Sequence, residues 1–307
     1  AARGVASGFN AMWLTWGNIG PLLAGAAVSN ALVQSVKSGS EFETIISKIG
    51  YLGETSATAL QGLSAEALKL GSTTQYGPLE VANGLKALTL AGLSANEALQ
   101  ALKPTMDFAT VAEMPLDKAA ESLLGISKAF GYTAEDMSLV GDVIAKTAAS
   151  TMSSVSDMTE AFKQSSTIAQ SFGVTLKDQS LALGLLSQIG IKGSAAGTSV
   201  RNMYVELMGA SKKAREVLKT KLDLDIFDNA TKAVKPLPEI FEQMSAALAK
   251  FKPGAQLKML NDLGNERGLK AISATLKSLV EETKKTGGDV AKVFEDLKAK
   301  LDESYGF

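Results

Sequence analysis

The sequence has no histidine and no cysteine among its 307 residues. It therefore lacks the commonest metal ligand and general base, and it has no thiolate nucleophile, disulfide or zinc-thiolate site. These absences exclude serine-histidine and zinc-dependent hydrolysis. A carboxylate-only enzyme such as a glycosidase needs just two suitably spaced acidic residues, but no acidic pair here lies in an apolar, pocket-like sequence context. We predict no enzymatic activity, no metal site and no cofactor.

A strong charge of either sign is also missing. The 31 Lys and Arg residues nearly balance the 32 Asp and Glu residues, and the two signs are mixed along the chain. No global field attracts the chain to nucleic acid, so we predict no specific nucleic-acid binding. Aromatic residues make up 6% of the chain, whereas the 46% of apolar residues can fill the core of one large or two small domains.

Charged residues are absent from Gly4 to Val36. That length exceeds the roughly 20 residues that cross a bilayer, but Pro21 and the glycines near it interrupt a smooth spanning helix. Three interpretations stay open: a helix buried against other chains, a segment that inserts into membrane, and plain intramolecular core. Tryptophan favours membrane interfaces. The residues we expect to mediate self-association or membrane contact are Trp13, Trp16, Pro21, Leu22 and Leu23.

From Ser40 onward, apolar residues recur at helical spacing between glycines, which predicts an all-α protein. Three times a helical stripe ends in glycine, then an apolar residue, then a hydroxyl residue with an acid three places on. Each pattern predicts a helix that ends at the glycine and a next helix capped by Ser or Thr. The predicted caps are Gly92, Ser94 and Glu97; Gly131, Thr133 and Asp136; and Gly173, Thr175 and Asp178.

A repeat of about 40 residues made of two helices is typical of a short solenoid, but it also fits a compact bundle of helical hairpins. We favour the bundle, because four phenylalanines recur at helix ends as if they converged on one centre. They are Phe108, Phe130, Phe162 and Phe172.

Three segments are expected: an apolar, uncharged helical segment at 1–38, a helical core domain at 39–286, and an amphipathic helix at 287–307. The last segment has the stripe of a solvated helix or of the start of a rod or coiled coil. Its stripe consists of Val290, Val293, Phe294, Leu297 and Leu301.

Three glycines punctuate residues 190–201, between two helical patterns. A phosphate-binding loop would need a preceding strand and a Lys-Ser or Lys-Thr pair after its last glycine, and charged residues flank the run too closely for a lipid-buried helix pair. We predict a tight connection in which Gly193 and Gly197 lie where backbones touch, because a missing Cβ permits that approach. The motif consists of Gly190, Gly193, Gly197, Thr198 and Arg201.

This Gly-Ile-x-Gly-Ser-x-Ala-Gly-Thr-x-x-Arg run, placed after a helical repeat region, resembles the core region of phage tail tape measure proteins. The resemblance extends over about Phe42 to Leu276. It includes Phe42-Glu43, Ala91-Gly92-Leu93-Ser94 and Gly264-Asn265-Glu266-Arg267-Gly268. It implies a structural protein that runs along the tail lumen, templates polymerisation of the tail tube, sets tail length and leaves the lumen at DNA ejection.

The resemblance also implies partners and places. The partners are the tail tube protein, baseplate or tail-tip proteins, tail assembly chaperones, other copies of the chain and the host membrane. The places are the tail lumen or tail tip of the virion, the host cytoplasm during assembly and the host envelope on infection. Two rival hypotheses remain: a membrane-active pore former in which Gly4 to Val36 is the working part, and a helical-repeat adaptor.

Overall fold

The structure is a computed structural model that describes residues 26–53, 56–228, 234–266, 269–285, 292 and 295–300. Within these ranges we number thirteen helices. They are α1 Ala26–Leu52, α2 Ala57–Thr73, α3 Pro78–Leu90, α4 Ala95–Ala112, α5 Leu116–Ala129, α6 Met137–Ala149, α7 Val155–Ser171, α8 Leu176–Gln188, α9 Gly193–Met208, α10 Lys212–Leu222, α11 Leu237–Ala249, α12 Pro253–Gly264 and α13 Lys270–Lys285. Residues 295–300 are also helical. The predicted all-α fold class is confirmed.

Glycine ends the helices of the repeats by adopting a left-handed backbone. Gly131 has φ 77°, and the next amide, that of Tyr132, donates to the carbonyl oxygen of Ser127 at 2.9 Å. This bond satisfies a carbonyl that the last turn of α5 would otherwise leave unpaired. Gly92, Gly173 and Gly190 also have positive φ.

Hydroxyl residues cap the helices that follow two of these glycines. The Ser94 hydroxyl accepts from the Glu97 amide, and the Glu97 carboxylate accepts from the Ser94 amide at 2.8 Å, which forms a capping box on α4. The Thr175 hydroxyl accepts from the Asp178 amide at 3.1 Å at the start of α8. Both caps pair amides that the first helical turn leaves without a partner.

The middle repeat differs from the prediction that Thr133 caps a helix. Helix α6 begins at Met137, so Asp136 occupies the N-cap position and Thr133 lies one turn earlier. The Asp136 carboxylate accepts from the Thr133 amide at 2.9 Å and from its hydroxyl at 2.8 Å. These two bonds stabilise an extra turn before the helix, and they lower the pKa of Asp136.

The helices form two layers. Helix α1 packs on α3, α3 on α5, α5 on α7 and α7 on α9, while α2 packs on α4, α4 on α6, α6 on α8 and α8 on α11. We call these the odd and the even layer. Side-chain hydrogen bonds join successive units at sequence separations of 35, 37 and 38 residues, namely Gln75 to Thr110, Lys128 to Ala91 and Gln188 to Ser150. This order of contacts is that of a short α-solenoid.

Aromatic residues join neighbouring units instead of meeting at one centre. The rings of Phe130 and Phe162 contact edge to face at 6.2 Å, and those of Phe172 and Tyr204 stack at 5.5 Å. Phe108 of α4 lies against Gly141 of α6. Of the two predicted arrangements, the solenoid therefore describes the chain better than the bundle that the phenylalanines led us to favour.

The expected boundary between segments at residue 38 falls inside α1. Among the helices described, none combines the length and the hydropathy that crossing a membrane requires. Helix α8 is the most enclosed element, because every residue from Gln179 to Ser187 is buried. Its neighbours include α6, α7, α9 and α11.

Candidate interaction surface

The predicted glycine motif forms the connection between α8 and α9. Gly190 has φ 80°, and the Ile191 amide donates to the carbonyl oxygen of Leu186 at 3.0 Å, which ends α8. Gly193 begins α9 with φ 56°. A Cβ atom on Gly193 would lie 3.4 Å from Oδ1 of Asp157 on α7. Both glycines thus adopt backbone conformations that other residues rarely tolerate.

Gly197 lies where α9 touches α7. A Cβ atom built on this residue would be 2.3 Å from the carbonyl oxygen of Ala161 and 2.7 Å from Cβ of Gln164. No side chain fits in that space, so the two helices are in backbone contact. The same sequence separation of 36 residues relates Gly193 to Asp157 and Gly197 to Ala161, which indicates parallel helices in register.

The inward face of α9 is fully buried. Its anchoring side chains are Val200, Met203, Tyr204 and Leu207, all 0% exposed. Burial raises the pKa of Tyr204 well above its usual range. The Tyr204 hydroxyl oxygen accepts from the Leu237 amide at 3.4 Å, which links α9 to the first turn of α11.

The opposite side of α9 is exposed. We define the α9 outer face as Ala195, Thr198, Asn202, Val205 and Met208, which recur at helical spacing. Val205 is 50% exposed and Met208 is 53% exposed. None of the five is charged, but exposed Arg201 lies on the same side of the helix, three residues after Thr198 and four before Val205. The exposed side of α9 thus combines small, polar and apolar side chains with one arginine, a mixture that is suited to contact with another protein.

Two acidic side chains link α9 and α10 to the elements that follow α12. The Glu206 carboxylate accepts from the Ala271 amide at 2.8 Å and so caps the start of α13. Lys213 of α10 forms an ion pair at 2.7 Å with Glu266, which lies in the turn between α12 and α13. This turn contains the Gly264-to-Gly268 motif, of which Arg267 and Gly268 lie outside the described residues.

The acidic residues after α10 form a solvated turn. Lys219 donates to Asp223 at 2.8 Å and lowers the pKa of that carboxyl. Asp225 Oδ1 accepts from the Phe227 amide at 3.0 Å, and the Arg215 guanidinium lies 5.2 Å from the centroid of the Phe227 ring. A surface pocket of about 460 Å³ lies between these groups. In the described ranges, no three acidic residues are grouped so that they could hold a metal ion.

The predicted site residues are thus only partly brought together. The motif at the α8–α9 connection forms one structural unit, and Thr198 joins the exposed face while Gly197 faces α7. The predicted caps are spread along the solenoid at successive helix junctions. Trp13, Trp16, Pro21, Leu22 and Leu23 lie outside the described residues.

Sequence reasoning missed caps that come from another helix. Lys128 of α5 donates to the carbonyl oxygen of Ala91 at 2.5 Å and so completes the end of α3, as Glu206 completes the start of α13. A lysine in a helical sequence indicates only weakly that its own helix ends nearby. It does not indicate which neighbouring helix the side chain will reach.

Comparison with known proteins places these features in a family. The family described as phage-related minor tail protein matches residues 64–264. A tape measure protein of Pneumococcus phage Dp-1 is 30% identical over 266 residues, which cover 86% of this chain and 22% of that protein. A probable tape measure protein of Escherichia phage P2 is 26% identical over 197 residues, 64% of this chain and 24% of that protein. The matched region is less than a quarter of the length of either relative.

Proposed function

We propose a structural role in the phage tail for this chain, which belongs to the tape measure family of phage-related minor tail proteins. The chain is the folded helical part of a longer protein, and its partners are other tail proteins. The longer protein lies in the tail lumen or tail tip, where the tube protein polymerises along it. Because a helix rises about 1.5 Å per residue, the length of such a rod can set the length of the tail.

One observation carries this proposal at the level of residues. The α9 outer face exposes Val205 and Met208 on the helix that starts with the motif resembling tape measure proteins, and the opposite side of this helix contacts the backbone of α7 at Gly197. A well-anchored helix that exposes apolar side chains such as Val205 and Met208 suits a chain that works through contacts with other proteins. The partners we propose are the tail tube protein, a baseplate or tail-tip protein, an assembly chaperone or a second copy.

The experiment places charge on the α9 outer face in the phage. A Val205→Asp, Met208→Asp double variant should keep its melting temperature, because both side chains are half exposed. It should yield particles without tails, or tails of variable length, in electron micrographs. The matched control is a Thr167→Asp, Gln170→Asp double variant on the exposed side of α7, which should assemble normal tails. Normal tails in both variants would refute a role for this face.

Two finer parts of the proposal concern ejection and activity. The protein leaves the lumen before DNA does, and the uncharged segment Gly4 to Val36 is covered by other chains in the tail and enters a bilayer after release. Titration with liposomes should then shift the tryptophan fluorescence to shorter wavelength, and no shift would refute membrane entry. The chain acts without catalysis, so a peptidoglycan zymogram should show no cleared band.

A further inference from the structure

The charges of the chain balance overall but not within its parts. The region from α4 to α6, residues 95–149, contains eight acidic and four basic residues. Helix α10 contains five basic residues and one acidic residue in its eleven positions. The net charges of these two regions, −4 and +4, are equal in size and opposite in sign. Because the whole chain has a formal net charge of only -1, two copies scarcely repel each other as wholes.

The basic region is exposed and extends from α10 onto the helices that follow. All five basic residues of α10 are exposed. They are Lys212, Lys213, Arg215, Lys219 and Lys221. Lys250 and Lys252, also exposed, lie where α11 ends and α12 begins. The pKa of Asp223, at the end of α10, is lowered by Lys219 and also by Lys250, so the end of α11 lies beside the end of α10. We call α10 together with Lys250 and Lys252 the basic end.

The start of α6 is the acidic counterpart. Between Lys128 and Lys146 the chain has three acidic residues and no basic one. They are Glu135, Asp136 and Asp142. The carboxylate of Asp136 already accepts two hydrogen bonds from Thr133, whereas Glu135 and Asp142 are exposed to solvent. We call residues 135–142 the acidic patch.

We propose that the basic end of one copy docks on the acidic patch of a second copy, in an antiparallel pair with two-fold symmetry. Such a pair joins opposite charges twice and closes at two copies. A parallel pair would place like charges together, and a head-to-tail array would leave one basic end and one acidic patch uncovered. For its biological meaning the pair rests on the role in the tail proposed above, among whose partners it selects the second copy. Neither surface includes the α9 outer face, so failure of the pair would leave that role untouched.

The salt dependence of self-association is the first test. Complementary charges at an interface set the orientation and the rate of association more than the affinity. Salt shortens the reach of such charges from about 30 Å at 0.01 M to about 8 Å at 0.15 M. Sedimentation velocity of the intact chain should therefore show a dimer at low salt that dissociates as salt is raised. A chain that stays monomeric at about 0.01 M salt would refute the pair, and species larger than a dimer would refute its two-fold closure.

Charge reversal tests which surfaces meet. The double variants Lys250→Glu, Lys252→Glu and Glu135→Lys, Asp142→Lys should each weaken the dimer by roughly tenfold or more, since like charges then face each other. An equimolar mixture of the two variants should restore the dimer, because both contacts again join opposite charges. Structural damage cannot produce this rescue. A mixture that stays monomeric would show that the two surfaces do not meet.

A matched control separates this contact from the effect of net charge. The double variant Lys48→Glu, Lys69→Glu alters the net charge as much as the reversal at Lys250 and Lys252, but at exposed positions of α1 and α2. It should leave the dimer intact, and equal weakening would overturn the pairing of these two surfaces. Duplex DNA of mixed sequence is the competing ligand. A chain that is monomeric at low salt and binds this DNA through the basic end would assign that surface to a polyanion and refute the pair.

Discussion

The contact between α7 and α9 can be tested by adding one methyl group. Gly197→Ala places a Cβ atom 2.3 Å from the carbonyl oxygen of Ala161 and 2.7 Å from Cβ of Gln164. The nearest of these atoms belongs to backbone, so no change of side-chain rotamer can relieve the overlap. The two helices must move apart by roughly 1 Å to restore ordinary van der Waals contact.

The size of the effect follows from two opposing terms. Alanine favours a helix by about 1 kcal/mol over glycine. Overpacking of a tight core costs about 1–3 kcal/mol, and the backbone overlap here places the cost at the upper end. We expect the free energy of unfolding to fall by about 2 kcal/mol, measured by urea denaturation with circular dichroism.

Gly125→Ala is the matched control. Gly125 also lies within a helix of the odd layer, but nothing is within 4 Å of the position of its Cβ. This variant should be as stable as the wild type or up to about 1 kcal/mol more stable. If Gly197→Ala unfolds at the same urea concentration as Gly125→Ala, then α7 and α9 are not in close backbone contact at Gly197.

Three further substitutions test caps and links between helices. Lys128→Met removes the bond to the Ala91 carbonyl and should cost about 1 kcal/mol, seen as an earlier urea midpoint; an unchanged midpoint would mean that water replaces the lysine. Tyr204→Phe deprives the Leu237 amide of its acceptor and should cost about 1 kcal/mol in the same assay, and a neutral result would show that the 3.4 Å contact contributes nothing. The pKa of Asp136 is lowered by bonds from Thr133, so its contribution to stability is present above the unfolded value of about 3.9 and lost as pH falls through the folded value. Asp136→Asn should therefore flatten the fall in melting temperature below about pH 4, and parallel curves for the two proteins would contradict this.

Local chemistry explains which features could be predicted from the sequence. A glycine that ends a helix and a hydroxyl residue that starts the next one act over three to five residues, so the positions of Gly92, Ser94 and Thr175 could be read directly. Thr133 has the same pattern, but the bonds from Thr133 to Asp136 also suit an extra turn. The pattern alone cannot distinguish the two arrangements.

Arrangement in space needs information that the pattern lacks. The same hairpins build a bundle or a solenoid, and recurring phenylalanines suit both; Phe130 and Phe172 end helices, whereas Phe162 lies inside one. The arrangement depends on which helices contact each other, and the contact of Phe130 with Phe162 of the next unit is one example. Likewise, the stripe that contains Leu297 indicates an apolar side of a helix but not its partner. In the structure Leu297 lies against Gly184 of α8, whereas a coiled coil was also compatible with the stripe.

The nearly constant separation of about 36 residues between contacting units has a mechanical consequence. Each hairpin is held by its neighbours along the chain, so a pull on one end loads the last hairpin first. We expect such an array to peel, one hairpin after another, at a modest and repeated force instead of rupturing in a single large event. What is left on the unpulled side stays folded at every step, and a refolding chain can add hairpins back in the reverse order.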